Sequence, residues 1–422
     1  MKYQLAYGRQ FIDLDIPDEY MTDEILPQEN ECSDDTDETA IILDALQNPI
    51  GTPTLKDLAE QKKARNAVII VNDITRPTPY QVILPPLLQE LEQVVDRCNI
   101  KLIIATGIHR PHTTADNLEI FGEYICKHYS ITNHNCDENL ASLGRLSNGF
   151  ELVINRDVAE ADLVITTGLV SLHYFAGFSG GRKSILPGIA GRELIKKNHQ
   201  MMNDARACLG NYKDNPVSKI MIEAARKAKV DFILNVVTDS QHKVRFCTTG
   251  DLYEAWLKAV HFCEKMNVVS IEAPADIVIA GCGGFPKDIN MYQSQKAIDS
   301  AVLAVKKGGT IILAAECSEG LGEDTFARWI NEASSKEDIK VRFSANFELG
   351  GHKAFAICRE LEHADIIMVS SLPDEIVAKM FITPAPDLNT ALKIALGRQG
   401  TPARILLMPE ASRLAVKIAP CE

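Results

Sequence analysis

The sequence predicts an α/β protein of two domains, each built on a mainly parallel sheet. Short apolar runs alternate with helical patterns over most of the 422 residues, which is the signature of this class. The runs are almost continuously apolar, as strands covered on both faces must be. The length suits more than one domain, because single domains usually hold about 100–200 residues.

Eight apolar runs are predicted as strands, and they cover residues 67–71, 101–105, 162–166, 232–237, 276–280, 310–314, 365–369 and 404–408. Ahead of them, residues 3–7 and 10–16 alternate polar and apolar side chains around Gly8. Alternation on both sides of a glycine predicts an antiparallel hairpin.

A domain boundary is predicted near residues 268–274, between the end of a helical pattern over residues 252–266 and the start of a new strand. We therefore expect an N-terminal α/β domain of residues 1–270 and a C-terminal α/β domain of residues 271–422.

Charge and composition exclude several classes of protein. Hydrophobic residues make up 46% of the chain and charged residues 24%, which is typical of a globular protein rather than a disordered one. Residues 10–55 hold 13 acidic residues and no Lys or Arg, so we expect a solvated acidic loop over residues 29–38. No basic stripe is present, which argues against nucleic acid as a partner. Without a membrane-length apolar run or a signal peptide, a cytoplasmic protein is expected.

Four predicted strands run directly into loops with unusual polar residues, at 72–77, 106–111, 167–175 and 281–288. Ligands of open α/β sheets bind beyond the carboxyl ends of the strands, so these loops should converge on one site. Three of the loops belong to the first domain and one to the second. The sequence therefore predicts an active site in the cleft between the domains.

Residues 177–184 (GFSGGRKS) nearly match a phosphate-binding P-loop. Arg182 stands where that motif needs the glycine before its lysine, so an ATPase is not predicted. Small residues still let backbone N–H groups approach an anion, with Arg182 and Lys183 adding charge. A tight structural turn is the alternative for this segment. The glycines at 281–284 do not complete a dinucleotide-binding fingerprint.

Histidines supply the predicted acid–base chemistry. His109 and His173 follow two different strands by a few residues, and His199 lies in a predicted helix. Two imidazoles on either side of one carbon are suited to inverting a stereocentre near neutral pH. Arg76 would bind a carboxylate with bidentate geometry. His112 follows His109 by three residues, a spacing that resembles a pair of metal ligands on a helix. Pro111 disrupts that helical spacing, so His112 is expected on the surface instead.

Five segments together resemble the lactate racemase family: residues 73–79 (DITRPTP), 107–111 (GIHRP), 172–191 (LHYFAGFSGGRKSILPGIAG), 197–199 (KNH) and 286–296 (PKDINMYQSQK). The likeness runs along essentially the whole chain. Enzymes of this family use a nickel-pincer nucleotide cofactor. They have two α/β domains with the site between them, as the strand ends also suggest.

The resemblance implies which residues bind the cofactor and which take part in the reaction. Lys183 resembles the lysine that bonds covalently to the cofactor, a pyridinium-3-thioamide-5-thiocarboxylic acid mononucleotide with nickel. His199 resembles the protein ligand of the nickel, so it is the residue predicted to bind the metal. His109 and His173 resemble the acid–base pair.

Further residues are implied to hold substrate or cofactor. Arg76, Gln293 and Lys296 resemble substrate-orienting residues, the last two with Tyr292 in the family's Tyr-Gln-x-x-Lys spacing. Asp73 is expected to anchor either the cofactor ribose or the Arg76 loop. Ser179, Gly180 and Gly181 are expected to contact the phosphate.

The resemblance implies a racemase or epimerase that inverts the C2 centre of a 2-hydroxy acid, either lactate or a larger 2-hydroxy carboxylate. One histidine would remove the hydroxyl proton while the α-hydrogen moves as hydride to the cofactor. Maturation would need cofactor-biosynthesis proteins as partners. The alternatives are a catalytically inactive hydroxy-acid or cofactor-binding protein on the same fold, and a pyridoxal-phosphate racemase with Lys183 as Schiff base. His352 or Lys353 would either contact the substrate or lie on a surface turn.

Overall fold

The computed structural model describes residues 1–28, 37–400 and 402–419, so most of the predicted acidic loop lies outside the described residues. The chain divides into two compact units. Met1–Gln28 and Lys265–Glu422 form one, called here the terminal unit, and Glu29–Glu264 form the other, called the central unit. Among the described helices, none is long and apolar enough to cross a membrane.

The strands are β1 (Lys2–Tyr7), β2 (Gln10–Asp15), β3 (Thr22–Glu24), β4 (Ala67–Asn72), β5 (Ile100–Ala105), β6 (Ser130–Asn133), β7 (Leu140–Arg145), β8 (Glu151–Asn155), β9 (Leu163–Leu169), β10 (Leu172–His173), β11 (Gly177–Phe178), β12 (Phe232–Thr238), β13 (Val244–Gly250), β14 (Val268–Ile271), β15 (Ala275–Gly281), β16 (Val305–Ala314), β17 (Asp365–Val369), β18 (Thr383–Ala385), β19 (Ile405–Met408) and β20 (Ala415–Ile418).

The helices are α1 (Glu38–Gln47), α2 (Leu55–Lys62), α3 (Tyr80–Leu91), α4 (Thr114–His128), α5 (Arg156–Ala159), α6 (Arg192–Gln200), α7 (Pro216–Lys227), α8 (Glu254–Asn267), α9 (Met291–Ala301), α10 (Asp324–Glu332), α11 (Lys336–Ala345), α12 (Gly351–Glu360), α13 (Asp374–Lys379) and α14 (Leu388–Gln399). Short 3-10 helices cover Arg97–Asn99, Gly181–Ser184, Met201–Asn203 and Ala411–Arg413.

The central unit is built on a six-stranded sheet in the order β13-β12-β9-β4-β5-β6. All neighbouring strands run parallel except β12 and β13. Strands β4, β5, β9 and β12 coincide with the first four predicted strands, which confirms that prediction. The apolar side chains of α3, such as Ile83 and Leu87, pack in one core with Ile69 and Ile104 of the sheet. Burial on both faces explains the continuous apolar runs.

The terminal unit has a second six-stranded sheet, in the order β18-β17-β16-β15-β19-β3, with all neighbours parallel. Strands β15, β16, β17 and β19 coincide with the other four predicted strands. The predicted hairpin is also present, since β1 and β2 pair antiparallel. Gly8 takes a φ of +55° at its turn, a conformation that favours glycine.

The observed division of the chain differs from the predicted domain of residues 1–270. Residues 1–28 belong to the terminal unit, because β3 pairs with β19 at the edge of its sheet. Leu5 and Leu14 of the hairpin are fully buried in the core of the same unit. The predicted cleft between domains stays a prediction.

Residues His352 and Lys353 do not lie on a surface turn. They belong to the first turn of α12 and are 4% and 3% exposed. His352 packs between the rings of Phe347 and Tyr292, at centroid distances of 5.6 and 6.4 Å. The apolar and aromatic neighbours of α12 draw this glycine-rich segment inward, against the expectation from its polar sequence.

Candidate active site

Three loops of the central unit begin at the same edge of its sheet. Strands β9, β4 and β5 are parallel neighbours, so their carboxyl ends lie side by side. The loops that follow them carry Asp73, His109 and His173, three of the predicted site residues. This is the edge at which open α/β sheets bind their ligands.

A buried carboxylate holds His109. Its Nδ1 lies 2.6 Å from Oδ2 of Asp73, which is 5% exposed. The other oxygen of Asp73 accepts hydrogen bonds from the hydroxyl and the amide of Thr75, at 2.6 and 3.3 Å. Burial alone would raise the pKa of Asp73, but the hydrogen bonds from His109 and Thr75 and the charge of Arg76 outweigh it and lower that pKa. Asp73 therefore favours the ionised form, and an ionised carboxylate favours the tautomer of His109 with its proton on Nδ1.

His112 supports this loop from inside the fold. Its Nε2 accepts a hydrogen bond from the amide of Ile74 at 2.8 Å, and its Nδ1 lies 3.1 Å from Oδ1 of Asn117. The side chain is only 7% exposed, so the predicted surface position was wrong. The turn at Pro111 folds His112 back beneath the loop that holds Asp73 instead of leaving it in solvent.

The ring of Phe175 gathers three other predicted site residues. Its centroid lies 4.6 Å from that of His173 and 5.0 Å from that of His199, and both imidazoles meet it edge to face. Nζ of Lys183 lies 5.6 Å from the same centroid. Phe175 is 2% exposed, so it is a fixed apolar wall for these three side chains. No role was predicted for Phe175, although its position two residues after the predicted catalytic His173 is visible in the sequence.

His173 is placed by a tight antiparallel turn in which β10 pairs with β11. The amide of Ala176 donates to Nδ1 of His173 at 3.3 Å, and the ring of Tyr174 stacks at 5.1 Å. Gly177 takes a φ of +75° in this turn, and a Cβ there would lie 2.1 Å from the carbonyl oxygen of Asn211. Glycine is therefore required where the chain returns from His173.

His199 has the chemistry of a neutral metal ligand. It is 9% exposed, and its Nδ1 donates to the carbonyl oxygen of Ile195 at 2.8 Å. Burial, aided by the charges of Lys183 and His109, lowers the pKa of His199 to about 4. The imidazole is therefore uncharged at neutral pH, with its lone pair on Nε2, the form that binds a transition metal.

Lys183 has the chemistry of a nucleophilic amine. It lies in the 3-10 helix Gly181–Ser184, and its amide donates to the carbonyl oxygen of Gly180 at 3.0 Å. Burial lowers the pKa of Lys183 well below its usual value, and the charges of Arg76 and Arg182 lower it further. A larger fraction of this amine is thus unprotonated at neutral pH, which a covalent attachment requires.

Arg182 is a structural clamp rather than a phosphate ligand. It is 1% exposed, and its guanidinium donates to the carbonyl oxygens of Ala176, Phe178 and Ser179 at 3.0–3.3 Å. The same group stacks 3.8 Å above the ring of Trp256. The predicted contribution of Arg182 to anion binding is therefore wrong, because the fold itself uses its donors.

Replacing Arg182 with methionine should destabilise the central unit by about 2–4 kcal/mol, since it leaves several buried carbonyl oxygens without donors. Urea unfolding followed by tryptophan fluorescence measures this, because Trp256 lies on the clamp. Arg206→Met is the control, because Arg206 forms an exposed pair with Asp204. An unchanged unfolding midpoint in Arg182→Met would show that these contacts do not stabilise the unit.

The residues expected to contact the phosphate are engaged inside the fold. The amide of Ser179 donates to the carbonyl of Ser171, and its hydroxyl donates to that of Leu169. The amide of Gly181 donates to Oδ1 of Asn235 at 2.9 Å. Gly180 has a φ of +88°, and a Cβ there would lie 2.5 Å from Val170. This arrangement does not support phosphate contacts from the amides of Ser179 and Gly181.

The predicted substrate-orienting residues of the terminal unit lie together on α9. The side chain of Asn290 caps this helix by accepting a hydrogen bond from the amide of Gln293 at 3.0 Å. Tyr292 and Gln293 are partly buried in the first turn. Nζ of Lys296, which is exposed, donates to Oε1 of Gln293 at 2.7 Å. An amide and an ammonium group side by side suit a carboxylate.

The residues around His199 fit a nickel-pincer nucleotide. The neutral imidazole of His199 and the amine of Lys183, whose pKa is lowered, both lie near the ring of Phe175. Nickel binding needs the first of these groups, and covalent attachment needs the second. Asn198, next to His199, is fully buried, and neither its oxygen nor its nitrogen has a hydrogen-bond partner among the described residues. Buried polar groups are normally paired, so this amide marks a place for a further polar group. No group of three or more His, Cys, Asp or Glu side chains in the described ranges is arranged to hold a metal ion.

Two family models match the sequence: lactate racemase N-terminal domain at residues 7–210, and lactate racemase C-terminal domain at residues 270–416. The lactate racemase of Thermoanaerobacterium thermosaccharolyticum is 39% identical over 423 residues, covering 98% of this chain and 99% of its own. That of Lactiplantibacillus plantarum is 34% identical over 424 residues, with the same coverage.

Solved structures show the same fold. The lactate racemase apoprotein from Thermoanaerobacterium thermosaccharolyticum matches with a TM-score of 0.89 at 37% identity, covering 99% of this chain and 100% of that one. A protein from Thermotoga maritima matches with a TM-score of 0.62 at 19% identity, covering 87% and 99%. The second likeness concerns the fold alone.

Proposed function

This chain belongs to the lactate racemase family, and we propose that it inverts the C2 centre of a 2-hydroxy acid, lactate or a larger 2-hydroxy carboxylate, with a nickel-pincer nucleotide attached to Lys183. The observation that carries the proposal is the cluster at Phe175. One buried ring contacts His173, His199 and Lys183, which offer a predicted acid–base group, a neutral metal ligand and a nucleophilic amine.

In this proposal, Lys183 would hold the cofactor covalently and Nε2 of His199 would bind its nickel. Imidazole is a suitable ligand for nickel, alongside the soft sulfur donors of the pincer. The chemistry that this group supplies when bound is uptake and return of the α-hydrogen as hydride. Such chemistry is needed because the α-hydrogen of a hydroxy carboxylate is too weakly acidic for histidine to remove as a proton.

The chain's own residues move protons and hold the substrate. His109 accepts the hydroxyl proton at Nε2, and Asp73 stabilises the resulting imidazolium at Nδ1. His173 performs the corresponding transfer on the other face of the reacting carbon. Arg76, Gln293 and Lys296 hold the substrate carboxylate, which keeps the carbon in register with the proton-transferring groups.

Asp73→Asn should lower kcat by about 10²-fold, the lower end of the range for an acid–base group, because asparagine neither stabilises an imidazolium nor fixes the Nδ1 proton. We expect a small change in KM, since Asp73 holds His109 rather than the carboxylate. Steady-state racemisation at equal nickel content measures both constants. Asp204→Asn is the control, because Asp204 pairs with the exposed Arg206 and was not predicted to take part in the reaction. Wild-type kcat in Asp73→Asn would remove Asp73 from the reaction.

A pyridoxal-phosphate racemase is the second candidate, because the depressed pKa of Lys183 would also suit a Schiff base. That enzyme would show pyridoxal absorbance and contain no nickel. The inactive-binding alternative would keep the nickel but convert no substrate.

The proposed enzyme also needs cofactor-biosynthesis proteins as partners, since the cofactor must be made and delivered before it is attached.

The experiment that tests the proposal is chiral chromatography after incubation of the cofactor-loaded protein with single-enantiomer 2-hydroxy acids. The panel runs from lactate through branched and aromatic acids to malate and sugar acids, with nickel content as the loading control. Loss of enantiomeric purity for one acid would support the racemase and identify its substrate. No conversion of any acid at full nickel occupancy would contradict it.

A further inference from the structure

The inner face of α9 carries a buried polar network beneath the residues that are proposed to hold the substrate. Tyr292, Gln295 and Asp299 are spaced three and four residues apart, so they share one face of the helix. Gln293 and Lys296 share a neighbouring face. Gln295 is fully buried and Asp299 is 4% exposed, whereas Lys296 is exposed.

Lys353 of α12 is the cation of this network. It is 3% exposed, and its Nζ donates to Oε1 of Gln295 at 2.5 Å. Nε2 of Gln295 in turn donates to Oδ1 of Asp299 at 2.6 Å. Nζ of Lys353 also lies 5.6 Å from the centroid of the Tyr292 ring. One ammonium group thus contacts the first turn of α9 and, through Gln295, its third.

Stability alone does not account for this arrangement. A buried charged network loses the hydration of its ions, and well-packed apolar side chains of similar volume are often equally stable or more so. Burial raises the pKa of Asp299, and its Oδ2 has no hydrogen-bond partner among the described residues. The network does orient α9, because directional hydrogen bonds restrict the rotation of this helix about its axis.

We propose that Lys353 is a positioning residue for substrate binding: it fixes α9 from its inner face, so that Gln293 and Lys296 keep the geometry that holds the carboxylate of the hydroxy acid. The proposal rests on the substrate role given above to those two residues. Lys353 acts through Gln295 and Tyr292 and does not touch the reacting atoms. Its loss should therefore weaken substrate binding more than it slows the chemical step.

Lys353→Met in the cofactor-loaded protein should raise KM about tenfold and change kcat by no more than about twofold, because the oriented hydrogen bond is lost while the reacting groups stay in place. Nickel content and the thermal unfolding midpoint are measured alongside. The control is Lys340→Met, since Lys340 of α11 forms ion pairs with Glu337 and Glu362 near the surface of the same unit. This variant should keep the wild-type KM.

Gln295→Leu removes the acceptor of the same hydrogen bond, and it replaces Lys353→Met in the test if that variant does not fold. It should raise KM by a similar factor, and the double variant should be no worse than the more affected single one, because both act through one chain of contacts. An unchanged KM in folded Lys353→Met or Gln295→Leu, with an active wild type, would overturn this proposal alone. A wild-type protein that racemises no 2-hydroxy acid would overturn the proposed function as well.

Discussion

Lys183→Ala should give a folded protein that carries no covalent cofactor and racemises no 2-hydroxy acid. The amine of Lys183 is the proposed attachment point, and its pKa is depressed by burial and by the charges of Arg76 and Arg182. No other lysine was predicted to react with the cofactor. The intact mass should therefore be that of the unmodified chain, and the bound nickel should be lost with the cofactor.

The control for this variant is Lys196→Ala, because Lys196 lies on α6 and forms an ion pair with Glu193 three residues before it. Both variants are prepared with the cofactor-biosynthesis proteins present, and their intact mass and nickel content are measured. Lys196→Ala should keep the cofactor and the nickel, whereas Lys183→Ala should lack both. A modified mass that persists in Lys183→Ala would refute the attachment site.

His109→Ala and His173→Ala should each reduce turnover by about 10²–10⁴-fold, the usual range for acid–base groups. His109 is held by the carboxylate of Asp73, whereas His173 is held by the amide of Ala176 and the ring of Phe175. Each is proposed to serve one face of the reacting carbon, so neither should replace the other. Chiral chromatography at equal nickel content gives the rates.

His128→Ala is the matched control, since His128 is exposed at the end of α4 and hydrogen-bonds the carbonyl of Tyr124. It should keep the wild-type rate. Near-normal racemisation by either His109→Ala or His173→Ala would exclude that histidine from proton transfer.

The main strands were predictable because their own residues determine them. β5, for example, buries Leu102, Ile103 and Ile104 completely, and such apolar runs are visible in the sequence. The division of the chain was not predictable in the same way. β3 consists of three partly or fully exposed polar residues, and it becomes a strand only because β19 offers it an edge. Its partner lies almost four hundred residues later, so no local pattern reveals the pairing.

The candidate site shows the same contrast. The positions of His109 and His173 followed from strand ends, and the carboxyl ends of β5 and β9 lie at the same end of the parallel sheet. The function of Arg182 did not follow, because its acceptors and the ring of Trp256 come together only in the folded chain. The pairing of Asp73 with His109 joins two loops across 36 residues. Neither spacing nor composition distinguishes such a pair from two separate polar side chains.

Transfer of the α-hydrogen as hydride can be tested with L-lactate labelled with deuterium at C2, or with the corresponding form of whichever acid the enzyme converts. The cofactor-loaded protein racemises it in ordinary water, and the D-enantiomer is separated and analysed by mass spectrometry. If the α-hydrogen is transferred as hydride and returned, the product keeps its deuterium. Product that has exchanged its deuterium for solvent hydrogen would exclude hydride return and favour proton abstraction at C2.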